Sequence, residues 1–227
     1  MKSISEYIQE KLIIKKRKIV DYKYFPKTKE ELQDIITRRI EQEGNEVDLN
    51  DIDVSNITDM SGLFKGTDFN GNISKWDVSN VTNMIGMFYK CALFNQDLFA
   101  WDVSNVTNMR YMFSESKTFN QDISKWDVLK VKDMGYMFYK CESFNQDISD
   151  WNVSNVTNME GMFGVCKSFN KNISNWDVSK VEYMRWMFSG CKSFNKDISK
   201  WNVSNVKLNN NMFDNCPIEE KYKPKFK

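Results

Sequence analysis

Five cysteines are the residues best able to do chemistry in this chain, and they fall in register. Cys91, Cys141, Cys166, Cys191 and Cys216 lie 25 residues apart or a multiple of 25, with Ser116 at the place that would complete the series. Such a column could hold a metal or cycle between thiol and disulfide. Structural zinc, however, needs four ligands converging on one point. Equivalent side chains on stacked repeats point in parallel, which is poor geometry for a disulfide. The spacing favours a column of small buried hydrophobes. No histidine occurs anywhere, which removes the commonest zinc ligand and the commonest general base together. The expectation is no catalytic residue, no metal and no cofactor, and no enzyme.

A second column carries Asp53, Asp77, Asp102, Asp127, Asn152, Asp177 and Asn202, and a neighbouring one carries Lys75, Ala100, Lys125, Asp150, Asn175 and Lys200. Carboxylates in line could bind calcium or act as an acid–base pair. Repeated side chains at one register give no asymmetric pair of the kind hydrolysis needs, and Lys75 and Lys125 offset the charge. The sober reading is a solvated strand face on which Lys75, Asp77, Asp102, Lys125 and Asp127 are candidate partner contacts. Asn70, Asn95, Asn120, Asn145, Asn170 and Asn195 could recognise a ligand, but an amide ladder satisfying turn backbone is the better account. The sequons at Asn80, Asn105 and Asn155 are copies of one repeat unit and count once. No phosphate loop, nucleophile elbow or His-Glu-x-x-His motif is present.

The elements that would position these columns follow from a 25-residue period. Trp76, Trp101, Trp126, Trp151, Trp176 and Trp201 keep it without exception, and so do Phe69, Phe94, Phe119, Phe144, Phe169 and Phe194, each followed by Asn. With Trp as position 1, the apolar positions are 1, 3, 6, 9, 12, 13, 16, 19 and 23. Ile123, Trp126 and Val128 end in the alternation of a short strand, whereas Val131, Met134, Met137, Phe138 and Cys141 keep to one face of a helix. These patterns predict an α/β repeat solenoid of about seven coils. A parallel sheet with strands centred on Ile52, Trp76, Trp101, Trp126, Trp151, Trp176 and Trp201 would form one side, and short helices the other. No coil can bury its apolar edge unaided, so neighbours must stack. The expected organisation is an N-terminal capping segment over 1–48, repeats over 49–216 and a loosely held charged tail over 217–227. Thr28-Lys29-Glu30-Glu31 has the form of a capping box, and Leu32, Ile35, Ile36 and Ile40 make a helical stripe able to cover the first coil.

Lys plus Arg (32) nearly cancel Asp plus Glu (31), so no field draws the protein to nucleic acid or anionic lipid. Met1 to Tyr7 lacks the apolar core of a secretory signal, and no run of 18 apolar residues exists to span a membrane. A cytoplasmic or virion-associated monomer is expected, or a cell-surface one if an export segment was removed.

The run Phe-Asn-x-Asp-Ile-Ser-x-Trp-Asp-Val-Ser-Asn-Val-Thr-Asn-Met-x-x-Met-Phe, over about residues 49–216, resembles the BspA-like leucine-rich-repeat family, whose 25-residue repeat also occurs in mycoplasma lipoproteins. The resemblance implies a leucine-rich-repeat-type stack and, for exported members, adhesion and binding of host proteins. More faintly, the head Ser3 to Leu12 is similar to heads that precede such repeats in gut-bacterial phage proteins. The functional expectation is a protein-binding repeat module. Its alternatives are a structural part of a phage virion or assembly, and a surface adhesin. The favoured surface is the helix side, where positions 11 and 14 bring Tyr89, Tyr111, Tyr136, Tyr139 and, further along, Trp186 into one outward band.

Overall fold

The computed structural model describes residues 21–226, so the phage-like head and the start of the capping segment lie outside the described residues. The described chain holds one α-helix, α1 (Lys29–Glu43), and one 3-10 turn, Glu220–Tyr222. Thr28 caps α1 by accepting the Glu31 N–H at 3.2 Å, and Glu31 reaches back to the Lys27 N–H at 2.7 Å. Gly44, at φ 88°, ends the helix. Leu32 and Ile36 face the first repeat and are fully buried. Arg39 accompanies them inward because it is paired: its guanidinium meets Asp51 at 2.9 and 3.1 Å, the Asp48 carbonyl at 3.1 Å, and Glu43.

The expected parallel sheet and its facing helices are absent among the described residues. Parallel pairing is confined to isolated single-residue bridges at position 8, running Asp59, Asn83, Asn108, Asp133, Asn158, Tyr183, Leu208, plus one between Tyr24 and Ile52. The reason is turn chemistry. Around each Trp, the chain turns immediately before and after: Trp126 N–H bonds the Ile123 carbonyl, and Val131 N–H bonds the Val128 carbonyl. Too few residues remain extended between these turns to build a strand.

Three Asx turns per repeat enforce this path. In each, a side-chain oxygen accepts the N–H two residues on, from Asp122, Asp127 and Asp133 in one repeat and equivalents elsewhere.

The helix fails for a related reason. Position 11 has φ between 57° and 65° in every repeat, and position 15 between 54° and 74°. Two left-handed residues per eight stop a right-handed helix, at a cost of about 1–2 kcal/mol for each non-glycine. What replaces it is a double use of the backbone. Met112, Ser114 and Ser116 bond three residues back within their own turns, while Met109, Tyr111, Phe113 and Glu115 donate to Asp133, Gly135, Met137 and Tyr139 of the next repeat at 2.7–3.0 Å. The apolar spacing of three was therefore the period of successive turns.

Stacking makes one continuous core. Phe at positions 13 and 19 pair within each of the first six repeats, as Phe113 and Phe119 do at 3.9 Å between centroids, and Phe113 lies 5.8 Å from Phe138 in the next. Each repeat tryptophan adds a polar tie. Trp126 Nε1 donates to the Leu98 carbonyl of the preceding repeat at 3.0 Å, and the other five do the same. A buried ring with a donor that reaches backbone is what this place requires. The tail is held more firmly than its charge suggests: Ile218 is buried, Glu219 N–H joins Asn195, and the Tyr222 carbonyl accepts the Ile198 N–H.

Candidate functional site: the variable turn face

Most polar positions of the repeat are occupied in holding neighbours together. Asn120 N–H donates to Asn95 Oδ1, Asn145 to Asn120 and Asn170 to Asn145, at 2.9–3.0 Å, so the asparagine column is a ladder. The sequon amides are committed too: Asn80, Asn105 and Asn155 Nδ2 each donate to a carbonyl of the preceding repeat at 2.8–3.0 Å.

The thiols follow the same rule. Cys141 Sγ lies 2.8 Å from the Phe113 carbonyl, and Ser116 Oγ lies 2.7 Å from that of Phe88. Serine can stand in the cysteine column because the column needs a donor as well as a small volume. Burial pushes the Cys91 thiol up to about 11 and those of Cys141, Cys166 and Cys191 well above the ordinary thiol value. All five cysteines are free, and no cluster of His, Cys, Asp and Glu suited to a metal exists among the described residues.

The lysine–aspartate candidates sit where the turns need them. Asp77, Asp102 and Asp127 each accept the N–H two residues on, at 3.0–3.2 Å. The Ser104 hydroxyl and N–H hold the Asp102 carboxyl below its ordinary value. Lys75 and Lys125 are exposed beside them.

The opposite turns behave differently. Position 11 reads Gly62, Gly86, Tyr111, Tyr136, Gly161, Trp186, Asn211, and position 10 reads Ser61, Ile85, Arg110, Gly135, Glu160, Arg185, Asn210. Tyr111 and Tyr136 stack at 5.0 Å and 11°, Tyr89 approaches Tyr111 at 6.0 Å, and Tyr139 meets Tyr136 edge-on at 5.7 Å. All four rings are half-buried and packed along the stack, where a fully outward band was expected. Trp186 is not in ring contact with them.

Cations cover the band. The Arg110 guanidinium lies over both Tyr111 and Tyr136, Lys65 and Lys90 over Tyr89, and Lys140 over Tyr139. Tyr136 Oη donates to Glu160 at 3.0 Å, and Glu160 also receives Arg185, which lies over Trp186. Burial, then Glu160, raises the Tyr136 phenol. Sequence reasoning found the tyrosines but missed Arg110, Glu160 and Arg185. The signal was there: position 10 changes charge from repeat to repeat while its neighbours do not. It also missed the glycines. The Tyr136 ring lies over Gly161, where any Cβ would strike it, and a Cβ at Gly164 would fall 2.9 Å from Tyr139.

Ahead of this band, the turns at Gly62 and Gly86 leave a groove of about 450 Å³ lined by Ser61, Gly62, Lys65, Ile85, Gly86, Tyr89 and Tyr111.

The family model described as "Mycoplasma protein of unknown function, DUF285" matches this chain twice, over residues 35–146 and 119–224. The chain belongs to that family. The two overlapping matches run from within α1 through the repeats. No match was found among curated proteins or among solved structures. Among the described residues, no helix is long and apolar enough to cross a membrane.

Proposed function

We propose that this chain is a protein-binding repeat module, without catalysis, whose recognition surface is the turn face carrying Tyr89, Tyr111, Tyr136, Tyr139 and Trp186. One observation carries the reading. Positions 2, 5, 8, 16, 20 and 22 are spent on turns and ladders, whereas positions 10, 11, 14 and 15 vary in size and charge and carry aromatic rings under cations. Half-buried tyrosines and arginines are the side chains that dominate protein interfaces, since they offer rigid area with a polar edge. The strand-face alternative loses weight because its aspartates are engaged in turns. Within this reading the chain is a BspA-like relative in the DUF285 family, a kinship supported by the Phe-Asn-x-Asp-Ile-Ser-x-Trp-Asp-Val run.

The test is capture of partner proteins from source-cell lysate on the immobilised full chain. Tyr111→Ala/Tyr136→Ala should lose specific partners that Lys75→Ala/Lys125→Ala keeps, with both variants folded by circular dichroism. Loss with the lysine pair and retention with the tyrosine pair would move the working surface to the other side.

A further inference from the structure

Position 11 is glycine in three repeats, and the space above it differs. Over Gly161 the room is filled by the Tyr136 ring of the preceding repeat, and Tyr111 leans on Tyr136 in the same way. Over Gly86 a Cβ would meet only Tyr89 Cβ at 3.5 Å, and over Gly62 only Lys65 Cβ at 3.9 Å. Gly86 has no ring above it because the preceding repeat offers Gly62, where the repeat before Gly161 offers Tyr136. The uncovered place is the groove walled by Tyr89 and Tyr111. Its charge is one-sided. Lys65 lines it, Lys90 stands 5.2 Å from the Tyr89 ring centroid, and neither forms an ion pair among the described residues, unlike Lys140, which faces Glu115 at 3.8 Å.

We propose that the groove over Gly62 and Gly86 receives one aromatic side chain of a partner polypeptide, carried beside carboxylates that meet Lys65 and Lys90. The molecule itself shows the occupant's form, since in the equivalent place three repeats on it is the Tyr136 ring lying over Gly161. An incoming ring would sit against Tyr111 as Tyr136 does on its other side, extending the aromatic stack by one member. Two cations without acidic partners give the orientation and exclude basic flanks. This deepens the recognition-face reading and rests on it.

The same register supplies a variant that fills the groove from within. Tyrosine is tolerated at position 11 with φ near 58° in Tyr111 and Tyr136. Gly62→Tyr should therefore place its ring over Gly86, as Tyr136 lies over Gly161. The probes are acetyl-Glu-Asp-Tyr-Asp-Glu-amide and its analogue with Leu for Tyr, titrated against the full chain by NMR. We expect saturable binding of the tyrosine peptide and about tenfold weaker binding of the leucine peptide. Gly62→Tyr should keep its circular dichroism spectrum and lose binding by about tenfold or more, and Lys65→Glu should weaken it by about fivefold. Tyr89→Ala, which removes a wall without touching a glycine, should weaken it too and serves if Gly62→Tyr does not fold. Absence of binding, equal binding of both peptides, or a folded Gly62→Tyr that binds like the parent overturns the proposal. If the peptide fails while lysate capture still depends on Tyr111 and Tyr136, the groove inference falls and the recognition-face reading stands.

Discussion

Six of the seven tryptophans and the seventh do opposite things. Trp76, Trp101, Trp126, Trp151, Trp176 and Trp201 are at most 5% exposed, and each donates its indole N–H to a carbonyl of the preceding repeat. Trp186 is half-buried on the turn face under Arg185, with no indole hydrogen bond among the described residues. The first six are fixed by backbone need, so their neighbours repeat. The seventh has a left-handed backbone like every residue at its position, but its side chain ties to no carbonyl, so Gly, Tyr, Trp and Asn all occur there. The two sides of the repeat thus separate cohesion from variability.

The largest effect should come from breaking the cohesive side in the middle. Trp126→Ala removes a stacked ring and the tie to Leu98, and should cost about 3–5 kcal/mol by denaturant unfolding. Trp201→Ala, in the last repeat, should cost less, because cohesion in a stack is a nearest-neighbour sum. Equal costs would contradict the account.

A smaller effect should appear with alkali. The buried thiols have raised pKa values in the folded state, so the unfolded chain loses those protons first. Their contribution is fully present below the unfolded thiol value, near about 8.5, and is lost as pH rises above it toward the folded values, about 11 for Cys91. Melting temperature should therefore fall from pH 8 to 10.5 more steeply in the parent than in Cys141→Ser/Cys166→Ser/Cys191→Ser. Ser116 shows that serine fits the column, so the variant should match the parent at pH 7, and parallel pH curves would remove the thiols from the account. Reducing agent should leave the parent's melting temperature unchanged.

The smallest effects belong to the opposite comparison. Tyr111→Ala/Tyr136→Ala should cost about 1–2 kcal/mol, since the rings are half-buried, and Lys75→Ala/Lys125→Ala should stay within about 0.5 kcal/mol. A tyrosine pair as costly as Trp126→Ala would make that band part of the core.

The period, the stacking and the buried set were legible because a strict 25-residue register forces equivalent residues together, and Trp, Phe and Met have nowhere else to go. The local structure was not. Ile123-x-x-Trp126-x-Val128 reads as alternation only if Asp122 and Asp127 are passive, whereas both close Asx turns. Met134, Met137 and Phe138 read as a helix only if position 11 is right-handed. Tyr136 gives no sign that it is not, although Gly62, Gly86 and Gly161 at the same position did. Asparagine and aspartate at positions 2, 8 and 22 were the missed signal for a chain built of turns. The tyrosine band was found from spacing, since a turn every three residues and a helix place positions 11 and 14 on similar sides. Its lateral packing was not, because that depends on Arg110 and on glycines in the next repeat.

The division between the two sides is tested most directly by hydrogen exchange at the seven indole N–H groups, followed by NMR in the native protein. The account predicts six slow indoles, slowest in the middle repeats, and one fast indole that Trp186→Phe removes. A slow Trp186, or seven indoles exchanging alike, would contradict it.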